Sequence, residues 1–323
     1  MAVRMAEMLQ TVSDVYRQFI PSEKGKSLDE QIYPWSLDGI KEAMSDPFEA
    51  HKLDPQSLAF CMQMMAVEAQ HWLDYHSYSE WVSDQQLKSL LGQLARAEHV
   101  HHLKLMSLLP QPHAPSEAVL SMEMAVLMAY QYCMEHEPND AIMSAFRHIF
   151  DDHVTHAEFA ATDVQSKGCP PETITGGADL SGGRRMERQF MKVEDTMWQG
   201  KFDGCYSKDT VDPQTLMNVD MSLAGEMSAW HGYHCALKNT PEQNMRIAWA
   251  AFQSIEDQHI GILGSLRDPT ESLLERALVH EQVEIQCYSM MHDMDINPRV
   301  KEIFGELYKE DLQQAWELGQ LAK

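Results

Sequence analysis

Basic residues are scarce in this chain: 25 Lys and Arg stand against 49 Asp and Glu, a formal net charge of -24. A phosphate-binding surface needs clustered cations, which argues against nucleic acid as a partner. The acidity fits a solvated, soluble surface instead. No apolar run approaches the length of a membrane span, so no membrane partner is expected. Residues 1–20 carry Arg4, Glu7, Asp14 and Arg17 and lack the apolar core of a signal peptide. The cysteines at 61, 133, 169, 205, 235 and 287 form no Cys-x-x-Cys pair. That excludes an iron site built from four cysteines and fits reduced thiols in a cytoplasmic protein. Period-two alternation is missing, which excludes a sheet as the main architecture. Nucleophile elbow, phosphate loop and dinucleotide fingerprint are missing too, which disfavours those enzyme classes. The 23 methionines form no tight clusters, which favours core filler over a copper store.

What is present is helical periodicity with carboxylates inside it. Between Leu87 and Leu108, the residues Leu87, Leu91, Leu94, Leu105 and Leu108 fall on one stripe at three- and four-residue steps. Glu98 and His101 fall on the same stripe. A carboxylate there is costly unless it is paired or bound. Glu and His at i, i+3 project from one helix face, as two ligands of one metal would.

The arrangement recurs. Shifted by 158 residues, the chain overlays itself without a gap: Glu68, Trp72 and Tyr75 fall on Glu226, Trp230 and Tyr233. Glu98 and His101 fall on Glu256 and His259, and Glu123 and Tyr130 on Glu281 and Tyr288. The constant offset marks a duplicated unit of about 110 residues.

The spacing predicts an all-α protein. Residues 1–54 form an N-terminal extension, with an amphipathic helix over 1–20 and an irregular stretch whose Ile32, Tyr33, Trp35 and Phe48 require burial. Four helices follow over 55–166, broken by Pro110, Pro112 and Pro115 and by the Glu137–Asp140 turn. A Gly- and Pro-rich linker spans 167–210, with a helix over 184–197 inside it. Four more helices fill 211–323 at the repeat offset. Short turns favour antiparallel neighbours, so each unit is expected to close as its own four-helix bundle.

In the first unit every helix carries acidic or imidazole groups on its apolar stripe: Glu68; Glu98 and His101; Glu123; and Asp152, His153 and His156. All lie near mid-helix, where antiparallel packing brings them level. Converging carboxylates in a dry core repel one another unless cations neutralise them. In the second unit Glu226, Glu256, His259 and Glu281 are the counterparts, and Glu284 adds a Glu-x-x-Glu. Its last helix carries Glu310, Asp311 and Gln314 but no histidine. Such a set suits a carboxylate-rich site, a single-metal site or a relic held by salt bridges. His71 lies three residues after Glu68, but its counterpart is Ala229. Tyr75, Tyr130, Tyr233 and Tyr288 each lie seven residues after a candidate ligand; core packing is their expected role, and hydrogen bonding or electron transfer near the metals the sharper one.

One Glu per helix, with Glu98-x-x-His101 on the second of four helices, resembles the ferritin-like di-iron carboxylate superfamily, which includes the rubrerythrins. The resemblance implies two tandem ferritin-like bundles. Glu68 and Glu123 would be the lone carboxylates, with Glu98 and His101 the first Glu-x-x-His pair. The fourth helix departs from the family pattern. It offers His153-x-x-His156 or Asp152-x-x-x-His156, and which of Asp152 and His153 binds stays open. The resemblance implies two irons in the first bundle, with manganese or a mixed pair as alternatives. It also implies an oxidoreductase that activates O2 or peroxide on a small organic substrate, with a reductase as electron donor and a homodimer as the assembly. The alternatives are a non-enzymatic iron store and an interaction scaffold with decayed sites.

Overall fold

A computed structural model describes residues 41, 44–49, 52–112, 114–181 and 205–321. The helix expected over 1–20, the stretch with Ile32, Tyr33 and Trp35, and the helix over 184–197 lie outside the described residues. Phe48 is described and is partly buried against the core.

The described residues are helical and contain no strand. The helices are α1 (Pro55–Trp81), α2 (Gln85–Leu108), α3 (Pro115–His136), α4 (Asp140–Ser166), the single turn α5 (Glu172–Thr175), α6 (Pro213–Asn239), α7 (Gln243–Leu266), α8 (Leu273–Met294) and α9 (Pro298–Leu321). Local sequence explains their ends. Asp54 and its repeat counterpart Asp212 cap α1 and α6, accepting from Ser57 N and Gln214 N at 2.9 Å, and a proline follows each cap. Asn139 caps α4, and Ser272 with Glu275 forms a capping box at the start of α8. Most of the stripe read on α2 is buried as expected: Leu91, Leu94, Glu98, His101, Leu105 and Leu108 face the interior, while Leu87 is partly buried against the core.

Helix pairing does not follow the repeat boundary. Consecutive helices form four hairpins, α1–α2, α3–α4, α6–α7 and α8–α9. The α1–α2 hairpin packs against α8–α9, and α3 packs against α6. The Tyr75 hydroxyl of α1 donates to Glu281 of α8 at 2.7 Å, and Tyr288 of α8 donates to Glu68 of α1 at 2.5 Å. In the second group Tyr130 donates to Glu226 at 2.5 Å, and Tyr233 donates to Glu123. Ser57 reaches Asp295 at 2.8 Å, and its counterpart Thr215 reaches Glu137 at 2.5 Å. These pairings are related by the 158-residue offset, so the two groups are related by an internal pseudo-symmetry. Each group takes one hairpin from each repeat.

The expectation that each repeat closes on itself is therefore corrected, and chain reach gives the reason. Helix α1 runs antiparallel to α2 through their hairpin. It also runs antiparallel to α8, because Tyr75 meets Glu281 while Glu68 meets Tyr288. Helices α2 and α8 are then parallel. If α3 took the place of α8 beside α1 and α2, the chain would have to return along the whole of α2. That helix has 24 residues, roughly 36 Å. The connection 109–114 spans at most about 22 Å when fully extended. It delivers α3 to the neighbouring group instead, and 267–272 does the same for α8.

Candidate metal centres

The exchange of hairpins sorts the sequence-predicted residues into two clusters. Glu123 of α3 and His153 and His156 of α4 meet Glu226 of α6 and Glu256 and His259 of α7; all six are buried. Glu68 of α1 and Glu98 and His101 of α2 meet Glu281 and Glu284 of α8 and Asp311 of α9; these six are buried as well. Glu68 and Glu98 do not share a site with Glu123, His153 and His156. The single first-unit site read from the sequence is thus replaced by two composite ones.

The histidine-rich cluster has a definite geometry. His153 Nδ1 lies 2.8 Å from Glu123 Oε2, and its Nε2 lies 2.9 Å from Glu226 Oε1. His156 Nδ1 lies 3.0 Å from Glu256 Oε1. His259 Nδ1 lies 3.0 Å from Glu256 Oε2 and 3.1 Å from Glu226 Oε2. The two oxygens of Glu256 therefore address different imidazoles. Two four-donor groups result, one of Glu123, His153, His156 and Glu256, the other of His153, Glu226, Glu256 and His259. Phe252 covers the cluster, its ring 4.1 Å from that of His156.

The other cluster is richer in carboxylates. His101 Nδ1 lies 3.3 Å from Glu98 Oε2 and 3.4 Å from both Glu68 Oε2 and Asp311 Oδ1. Neither oxygen of Glu98 has a hydrogen-bond partner, and the second oxygens of Glu281, Glu284 and Asp311 also lack one. Buried oxygens without donors are what a cation would satisfy.

Asp152 and Glu310, both read as candidate ligands, stand behind imidazoles. Asp152 Oδ2 lies 3.3 Å from Nε2 of His259, and Glu310 Oε2 lies 3.0 Å from Nε2 of His101. Each addresses the ring nitrogen opposite the cluster. A carboxylate there fixes the tautomer and raises the basicity of the inward nitrogen. The four tyrosines are buried in the core as expected, and each donates to a cluster carboxylate contributed by the other repeat.

Protons supply the missing positive charge. Burial pulls the His153 and His259 imidazoles down, but Glu226 beside them outweighs it and holds both well above the usual range. Burial likewise pulls His101 down, and Glu68 overrides it. In the carboxylate-rich cluster burial pushes Glu98, Glu284 and Asp311 well up, and neighbouring carboxylates add to the rise. Burial pushes Glu281 up to about 8. Cations entering these clusters would displace those protons.

The chain matches no family model, no curated protein and no solved structure. The reading of its chemistry rests on the geometry above.

Of the clustered carboxylates, Asp311 is visible in the sequence only through the offset, where Asp311-x-x-Gln314 falls on His153-x-x-His156; Glu284, whose counterpart is Val126, is visible only as the Glu-x-x-Glu with Glu281. A third buried group, His71, Asp220 and His280, has no such signal, because its counterparts are Ala229, Met62 and Met122. Among the described residues no helix is long and apolar enough to cross a membrane.

Proposed function

We propose that this chain is a non-haem di-metal oxidoreductase with two dinuclear centres, iron being the metal the ligand sets fit best, with manganese or a mixed pair as alternatives. The carrying observation is Glu256, whose two carboxylate oxygens face two overlapping groups of donors. A carboxylate placed so could offer one oxygen to each of two cations. Glu123, His153 and His156 would hold one side, with Glu226 and His259 on the other. Three imidazoles with three carboxylates form a mixed nitrogen and oxygen set that suits iron. The bound metals would supply redox chemistry on O2 or peroxide. The protein's own part is to fix the ligands and exclude water. Asp152 and Glu310 orient His259 and His101. The tyrosine hydroxyls hold Glu123, Glu226, Glu68 and Glu281, and Phe252 seals the histidine-rich cluster.

A cavity of about 660 Å³, walled by Met62, Met65, Trp72, Met122, Met227 and His231, would accept a small apolar organic substrate. A reductase would supply electrons. The four-helix arrangement around each centre, with Glu68, Glu98 and Glu281 in one, Glu123, Glu226 and Glu256 in the other, and Glu-x-x-His on α2 and α7, supports the ferritin-like reading in a hairpin-exchanged form. The surplus carboxylates beside His101 support a second reading, iron sequestration.

The test is metal content by plasma mass spectrometry after expression with added iron and manganese. The two dinuclear centres are expected to account for four equivalents, with two lost in Glu98→Ala and two others lost in Glu256→Ala. O2 consumption in the presence of reductant and small apolar substrates then separates enzyme from store. A folded wild-type chain that takes up no metal overturns the proposal.

A further inference from the structure

The structure assigns a third metal site, for a single divalent transition-metal ion, to His71 of α1, Asp220 of α6 and His280 of α8. It shares no ligand with either centre described above, and Glu284 of the carboxylate-rich centre stands behind His71. The three side chains are buried, and one ligand atom of each lies within 4.8 Å of the others. Two imidazoles and a carboxylate form a donor set that first-row metals such as zinc, cobalt or ferrous iron bind well.

Three observations point to an ion. First, His280 is fully buried, and neither of its ring nitrogens makes a hydrogen bond. Its Nε2 faces Asp220 Oδ1 at 3.4 Å and Asp74 Oδ2 at 3.6 Å, distances at which a shared ion fits between the groups. Second, His71 is already oriented. Its Nδ1 meets Glu284 Oε1 at 2.6 Å, and its Nε2 points at Asp220 Oδ2 at 3.0 Å. A histidine ligand commonly has a carboxylate on its outer nitrogen in this way. The His71 and His280 rings stack with centroids 4.1 Å apart, and the Nε2 atoms of both face the Asp220 carboxylate. Arg267 Nη1 holds Asp220 Oδ1 at 3.3 Å, and Glu271 offsets its charge at 3.8 Å.

Third, the pseudo-symmetric position shows that the fold does not need the cluster. The counterparts of His71, Asp220, His280 and Asp74 are Ala229, Met62, Met122 and Gly232. There Met122 packs so tightly on Gly232 that an added Cβ would lie 2.2 Å from its sulfur. Apolar side chains that also wall the cavity of about 660 Å³ stand in one half, where the other half buries two imidazoles and a carboxylate. Burying such groups is costly without a compensating partner.

The experiment strips the chain with chelator, reloads it with cobalt(II), and counts bound metal beside the visible absorption of the cobalt. His280→Met, which installs the counterpart residue, is expected to lose one equivalent and one absorption component while its helical circular dichroism persists. A Glu98→Ala/Glu256→Ala chain is expected to keep one equivalent, and adding His280→Met to it removes that equivalent. Equal counts in wild type and folded His280→Met overturn the assignment. If His280→Met does not fold, the double variant decides alone, and a count of zero overturns it. Loss confined to the Glu98 and Glu256 variants would sink this site and leave the dinuclear proposal standing. Loss confined to His280→Met would do the reverse.

Discussion

Glu281→Gln probes the charge balance of the carboxylate-rich cluster directly. Burial pushes the Glu281 carboxyl from an ordinary 4.5 up to about 8. The folded, metal-free protein therefore keeps a proton that the unfolded chain releases. The free-energy cost is absent below pH 4.5, grows as pH rises from 4.5 to 8, and is constant above. At about 1.4 kcal/mol per pH unit it reaches about 5 kcal/mol at pH 8, and is under about 1 kcal/mol at pH 5. Glutamine removes this term. Its amide oxygen still accepts from the Tyr75 hydroxyl, which lies 2.7 Å from Glu281 Oε1. Its amide nitrogen takes the place of Oε2, an oxygen with no partner, and an unpaired buried donor costs about 1–3 kcal/mol. The balance is a gain of about 2–4 kcal/mol at pH 8 and a loss of up to about 2 kcal/mol at pH 5. Urea denaturation of chelator-treated protein at both pH values, followed by circular dichroism, measures it. With metal restored, the order at pH 8 is expected to reverse, because the wild-type carboxylate then has its cation. A change of the same sign and size at both pH values would refute the reasoning.

Further outcomes follow from the same structure. Residues 44–181 and 205–323, produced separately, are expected to yield no folded monomer, because each half supplies only one hairpin to each centre; light scattering with circular dichroism checks this, and a folded monomeric half would refute the exchange. Phe252→Ala is expected to cost about 3–5 kcal/mol in urea denaturation, since the ring is fully buried against His156 and Tyr233. The same substitution should lower metal retention in the histidine-rich centre and leave the other unchanged. Asp54→Ala removes the cap of α1 and is expected to cost about 1 kcal/mol without altering metal content.

Local chemistry was legible in the sequence. Helical periodicity, capping residues and prolines fix where α1–α4 and α6–α9 begin and end, because these depend on neighbours a few residues away. The expensive carboxylates were legible too. Glu68, Glu98, Glu123, Glu226, Glu256 and Glu281 sit on apolar stripes, where only pairing or a ligand accounts for them. The offset of 158 residues named their counterparts, since two copies in one chain expose what both have kept.

Tertiary structure decided which residues share a site. A repeat specifies equivalent surfaces, and α1–α2 can pack against the third and fourth helices of either copy with the same side chains. The choice falls to the parallel run of α2 and α8, which the short connections 109–114 and 267–272 cannot bridge within one unit. That choice makes the two centres unlike. The fourth helix with His153 and His156 joins Glu226, Glu256 and His259, while Asp311 joins Glu68, Glu98 and His101. It also turns Asp152 and Glu310 from apparent ligands into partners of the outer imidazole nitrogens. His71, Asp220 and His280 come from three helices and two copies, with apolar counterparts and no shared spacing. Packing alone brings them together.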